Sequence, residues 1–256
     1  MGKRKSSVAV SESRGVRTLH VGGEAIQSAM RLDDPFALEL DYTRCMMAFL
    51  LFHPAPRRAL MIGLGGGSLA KFFHRRLGGL RTQVLEYDER VIATARALFH
   101  VPPDDARLRI EHGDGVEALA PECCDLLVVD GFEDEATPSA LVSQAFFDAA
   151  WCALEEPGAL VMNFMNDDPQ FDRNLQRIER AFGGAVIAFQ SLRDPNIVVL
   201  GLKGGPPGVE WRELRARAAV LERKYGLPFT RYVERLRSMN RWSAGELLIA
   251  PPREQG

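Results

Sequence analysis

Cysteine is scarce in this sequence and badly spaced for chemistry. Cys45, Cys123, Cys124 and Cys152, four residues in 256, form no CxxC pair, which argues against a zinc ribbon or a thioredoxin-like redox motif. They read as reduced thiols of a cytoplasmic protein, where disulfides are rare. Histidine is equally thin. His20, His53, His74, His100 and His112 show no HxH or HxxxH spacing, so no metal site is expected. No GxSxG occurs, which removes a hydrolase nucleophile elbow. No apolar run approaches the roughly 20 residues of a membrane-spanning helix. The basic opening at residues 1–10 has no apolar stretch behind it, so neither a membrane partner nor a secretory signal is expected. A surplus of one charge is missing too. Against 32 Lys and Arg stand 34 Asp and Glu, a net charge of -2. Phosphate neutralisation calls for a basic surplus, so no nucleic-acid partner is expected.

What remains is a chain that is 46% hydrophobic and 26% charged, the composition of a soluble globular protein large enough to bury its own core. Its periodicities divide it into three regions. Residues 1–35 read as a small β domain: β-prone runs at 7–11 and 16–21 flank Glu12-Ser13-Arg14-Gly15, a hairpin signature, and 25–30 suit a third strand. Residues 36–205 open with a helical stretch at 36–52. Short apolar runs at 59–62, 83–85, 108–111, 126–129, 159–162, 185–189 and 197–202 then alternate with helical patterns at 68–76, 88–99 and 140–154, and with one opened by Asp168-Pro169. Such alternation predicts an α/β domain with a parallel sheet covered on both faces. Residues 206–256 read as a helical, charged C-terminal extension ending in a frayed tail.

Chemistry concentrates at the strand ends. Gly63-Leu64-Gly65-Gly66-Gly67-Ser68 ends the first strand of the α/β region and opens a helix. Gly63, Gly65 and Gly67 let a ligand approach backbone where a Cβ would collide, and the helix start offers free amides. Glu86 falls at the end of the next strand, where an acid grips a ribose diol in open α/β sheets. Those two signals fit a dinucleotide or an adenosylmethionine-type ligand. The GxGxG spacing puts Ser68 where the dinucleotide pattern needs its third glycine. Further acids follow: Asp114, in His112-Gly113-Asp114-Gly115, is placed to accept from an adenine amine, and Asp130 closes the apolar strand at 126–129. Glu86, Asp114 and Asp130 are thus expected on one rim.

In these residues the sequence resembles the polyamine aminopropyltransferases, the spermidine and spermine synthases, over roughly residues 7 to 203. Tyr42-Thr43-Arg44, then Phe52-His53-Pro54-Ala55-Pro56-Arg57-Arg58 running into Ala59-Leu60-Met61-Ile62-Gly63, match the family stretch YHE…HPNPKKVLIIG. Pro138, Phe146-Phe147 and residues 154–161 follow its later pattern. The resemblance implies a Rossmann-like fold of the S-adenosylmethionine-methyltransferase type behind a small N-terminal β domain. It implies nucleoside contacts from Gln27, Gly63, Gly65, Gly67, Glu86, Asp114 and Gly115, and a general base at Asp130 with Tyr42 beside it. Two departures stand out. Gly66 replaces the family's Asp that holds the aminopropyl amine, and Glu133 replaces the second Asp of DSTDP, which grips the polyamine. The family's later Tyr has no counterpart between about residues 190 and 198.

The function implied is spermidine synthase-like. An aminopropyl group would pass from decarboxylated S-adenosylmethionine to a small-molecule amine, without a metal, in a cytoplasmic homodimer. Two alternatives stay open: a methyltransferase using intact S-adenosylmethionine, and a non-catalytic nucleoside-binding protein on the same fold.

Overall fold

The computed structural model describes residues 7–131 and 138–250. The chain opens with an antiparallel sheet of β1 (Val8–Ser13), β2 (Val16–Val21) and β3 (Ser28–Arg31). The expected hairpin turn is there, with Arg14 and Gly15 both at positive φ, the conformation that a tight two-residue loop requires. This small sheet rests on the following domain through Leu19 and Met30, packed with Val91 and Phe99.

Next come α1 (Asp41–Met46), a 3-10 turn (Met47–Leu51), β4 (Arg58–Ile62), α2 (Ser68–Arg76), β5 (Arg81–Glu86), α3 (Glu89–Leu98), β6 (Leu108–His112) and β7 (Cys124–Val129). After a 3-10 turn (Ser139–Val142) follow α4 (Gln144–Ala153), β8 (Leu154–Met165), α5 (Phe171–Ala181), β9 (Val186–Gln190) and β10 (Asn196–Lys203). A short hairpin of β11 (Gly208–Glu210) and β12 (Glu246–Leu248) then encloses α6 (Trp211–Tyr225) and α7 (Phe229–Arg235).

Seven strands form the central sheet in the order β6-β5-β4-β7-β8-β10-β9. The expectation of a wholly parallel sheet needs one correction: β10 runs antiparallel to both β8 and β9. Only residues 191–195 separate β9 from β10, too few for the helical crossover that parallel neighbours require. Side chains alternate between faces along each strand. Ala59 and Met61 point into a core shared with α2, α6 and α7, whereas Leu60 and Ile62 point into one shared with α4 and α5.

Three helix starts differ from expectation. The stretch at 36–52 is helical only from Asp41, because Leu40 is extended. The pattern at 140–154 breaks at Ser143, whose hydroxyl accepts from Phe146 N at 3.1 Å and caps α4. Asp168 does not cap α5: its carboxylate turns back to Gln170 N at 2.8 Å, and the helix begins at Phe171. Among the described residues, no helix is long and apolar enough to cross a membrane.

Candidate active site

The carboxyl ends of β4, β5, β7 and β8, with the β9–β10 turn, form one rim. Register brings β4 and β7 into it together. Asp130 N donates to Ile62 O at 3.0 Å, and a Cβ on Gly63 (φ +95) would stand 2.5 Å from Asp130 O. Packing by itself already demands glycine at several of these positions. A Cβ on Gly67 would meet Val101 Cγ2 at 2.4 Å, and one on Gly115 would meet Ile62 Cγ2 at 2.5 Å. Gly65 differs: its missing Cβ has ordinary clearance, and its φ of +53 is what favours glycine.

Glu86 reaches this loop from the end of β5. Its Oε2 accepts from Leu64 N at 2.8 Å and its Oε1 from Asp88 N at 3.0 Å. Burial pushes its pKa up, and those amides pull it partly back. Asp114 lies beyond β6, next to Glu86 through the bond from Gly113 N to Glu86 O. It is exposed, and its Oδ1 accepts from Val116 N at 2.8 Å.

Asp130 sits at the centre of the rim. Tyr42 Oη lies 3.2 Å from its Oδ2 and Asn163 Nδ2 lies 3.3 Å from its Oδ1. Asn163 is turned that way because its own Oδ1 accepts from Asn196 Nδ2 at 3.1 Å. Burial raises the Asp130 carboxyl to about 6, and the two donors oppose the rise. Burial, then the Asp130 charge, lift the Tyr42 phenol well above its ordinary value, so it stays a neutral donor. Desolvation is the cause that raises Asp130, and neither Glu86 nor Asp114 contributes to the rise.

Gln27 connects the small sheet to this centre. Its carbonyl lies 3.3 Å from Tyr42 Oη, and its side-chain amide donates to Val21 O at 3.3 Å. The structure thus gathers Gln27, Tyr42, Gly63, Glu86 and Asp130, with Asp114 and Gly115 at the edge. Glu133 lies outside the described residues. Asn163 and Asn196 were missed by sequence reasoning. The one local signal was that Asn163 interrupts the apolar strand Leu160-Val161-Met162.

Gly66 is walled in. A Cβ there would stand 2.7 Å from Ser28 Oγ and 2.8 Å from Phe99 Cδ1. Ser28 Oγ lies 3.2 Å from Ser68 Oγ, so hydroxyls line the place where the resemblance leads one to look for an acid. Among the described residues, no group of three or more His, Cys, Asp or Glu is placed to hold a metal.

No protein-family model matches the chain. It is 37% identical over 244 residues to a polyamine aminopropyltransferase of Chromobacterium violaceum, covering 94% of each chain. It is 35% identical over 236 residues to one of Neisseria meningitidis serogroup B, covering 91% of this chain and 90% of that one. Among solved structures, a probable spermidine synthase from Corynebacterium glutamicum superposes with a TM-score of 0.71 at 21% identity, over 93% of this chain and 95% of that one. Human methyltransferase-like protein 13 in complex with SAH gives 0.65 at 22% identity, over 80% and 96%. The two structural likenesses speak for the fold alone.

Proposed function

This chain belongs to the polyamine aminopropyltransferase family, and from that premise we propose that it transfers an aminopropyl group from decarboxylated S-adenosylmethionine to an amine, with Asp130 as general base. The observation that carries the reading is the partly buried Asp130 carboxyl, raised to about 6 between the Tyr42 hydroxyl and the Asn163 amide.

The chemistry asks for little else. An ammonium has no lone pair, so the acceptor must first give a proton to the Asp130 carboxylate. The neutral amine attacks the methylene beside the sulfonium. A C–N bond forms, the C–S bond breaks, and its electron pair leaves on neutral 5′-methylthioadenosine, which needs no acid catalyst. A base titrating near 6 is ionised at neutral pH yet basic enough to accept the proton. Positioning supplies the rest of the rate. Glu86 would take the ribose hydroxyls, Asp114 the adenine amine, and the loop at Gly63, Gly65 and Gly67 would seat the nucleoside. Gln27 and Gly115 complete that half of the site, and Glu133 is assigned to the acceptor.

A second reading, methyl transfer from intact S-adenosylmethionine, is favoured by Gly66. With Ser28 and Phe99 filling the space beside it, no carboxylate at position 66 repels the donor's own carboxylate.

Product identity separates the two. The protein is incubated with 1,4-diaminobutane and, in parallel, decarboxylated or intact donor. Chromatography should find 5′-methylthioadenosine, and mass spectrometry an amine enlarged by one aminopropyl group, with the decarboxylated donor. S-adenosylhomocysteine and a methylated amine from the intact donor would reverse the order of the readings. No product from either donor would sink both.

A further inference from the structure

Tyr42 stands between two carboxylates. Its hydroxyl lies 3.2 Å from Asp130 Oδ2, and its backbone N–H donates to Asp194 Oδ2 at 3.0 Å. One acid therefore sits at each end of a single residue. Asp194 belongs to the turn at 191–195 between β9 and β10. β9 points the same way as the parallel strands, so this turn rises on the rim that holds Asp130. Asn196, at the start of β10, ties the turn to Asp130 through Asn163.

Part of what Asp194 does is structural. It satisfies one of the free amides in the first turn of α1, and Asp41 returns the contact by accepting from Arg193 N at 2.8 Å. That task needs an acceptor oxygen, which an amide side chain supplies as well as a carboxylate does. Yet the carboxylate of Asp194 is only part-buried, and among the described residues it forms no ion pair and its other oxygen accepts no hydrogen bond. The charge reaches the centre nonetheless: Asp194 is among the groups that raise the Tyr42 phenol.

We propose that Asp194 holds the second, non-reacting ammonium of a diamine or polyamine acceptor while Asp130 takes the proton of the reacting one. This rests on the aminopropyl-transfer reading above and makes Asp194 a determinant of acceptor specificity. A diamine enters with two cationic ends. One must become neutral to attack, and the other stays charged throughout, so it needs a carboxylate away from the base. Asp130 and Asp194, hydrogen-bonded to opposite ends of Tyr42, are two such acids. A monoamine can use only one of the two acids.

Calorimetry on the full chain saturated with 5′-methylthioadenosine compares 1,4-diaminobutane with 1-aminobutane. The wild type should bind the diamine about tenfold tighter or more, the scale of one charge-assisted contact. Asp194→Asn keeps an acceptor for Tyr42 N–H. It should bring the two amines within about threefold of each other and leave the affinities for 1-aminobutane and the nucleoside unchanged. Asp194→Glu, which keeps the charge, should retain the diamine preference. The proposal is overturned if Asp194→Asn still prefers the diamine by about tenfold, or if it loses both amines equally, as a purely structural role would give. It also falls, with the donor site intact, if the wild type binds the nucleoside but shows no diamine preference. Failure of the wild type to bind 5′-methylthioadenosine is a different result, which removes the aminopropyl-transfer reading and this proposal with it.

Discussion

Asp130 holds its proton more tightly than a free aspartate because burial penalises the carboxylate, and the Asn163 and Tyr42 donors offset only part of that penalty. A general base works only when ionised, so turnover should fall as pH drops through about 6. Removing either donor removes a stabiliser of the charged form. Asn163→Ala or Tyr42→Phe should therefore move the acid limb of the pH–rate profile upward, towards neutrality. A limb that stays in place in both variants would take Asp130 out of the proton transfer. Asp130→Asn should lose about 10²–10⁴ in turnover with nucleoside affinity kept. The stability sign runs the other way. The folded pKa lies above the unfolded one, so ionising Asp130 costs the fold stability as pH rises from about 4 to about 6. Above that pH the Asn variant should melt no lower than the wild type. Strand-end logic found Asp130 and Glu86, because an acid after an apolar run is visible in the sequence. Asn163 was not legible in that way, since an amide inside a strand acquires meaning only when β8 lies beside β7.

Elements whose signals are local are legible in the sequence. The helix expected at 68–76 is α2 itself, and Asp88 caps α3 by accepting from Arg90 N. The start of α1 is not legible locally, because its first turn is held by Arg193 and Asp194, about 150 residues downstream in sequence. The link between α2 and α3 was also hidden. Lys71 lies on α2 at 1% exposure, and its Nζ donates to Phe99 O at 2.7 Å, at the C-terminal end of α3. A cation is well placed there, yet burial lowers its pKa from 10.5 to about 8. The folded pKa is depressed, so the folded state binds this proton less firmly than the unfolded chain does. Wild-type stability relative to Lys71→Met should therefore rise between pH 8 and 10.5. At about 1.4 kcal/mol per pH unit the rise is limited to about 3 kcal/mol. Denaturant titrations of both proteins at several pH values measure the difference directly, and a pH-independent difference would mean that Lys71 titrates as if in water.

Across the whole molecule, alternation of strands and helices sufficed for the α/β class and for the rim, because βα units place strand ends together by handedness alone. It did not show β10 reversing, nor how the late helices are used. Charge density makes residues 206–250 look like a solvated face, but the buried side chains of α6 and α7 tell otherwise. Trp211, Leu214, Phe229 and Tyr232, each at 3% exposure or less, share one core with Phe49 and Phe73. These helices cover the face of the sheet that carries Met61 and Val128, on the strands whose ends hold Gly63 and Asp130. Uncovering that face exposes several large side chains at once, and burial of each contributes about 1.5–3 kcal/mol. Their sum exceeds much of a domain's net stability of about 5–15 kcal/mol. Truncation after Lys203 should therefore abolish cooperative thermal unfolding and nucleoside binding together. Phe229→Ala, a milder cut into the same contact, should cost about 3–5 kcal/mol while leaving nucleoside affinity intact in the fraction that folds. A truncated chain that melted cooperatively within a few degrees of the full protein would instead make these helices an appendage, and the sheet face beneath them stable without cover.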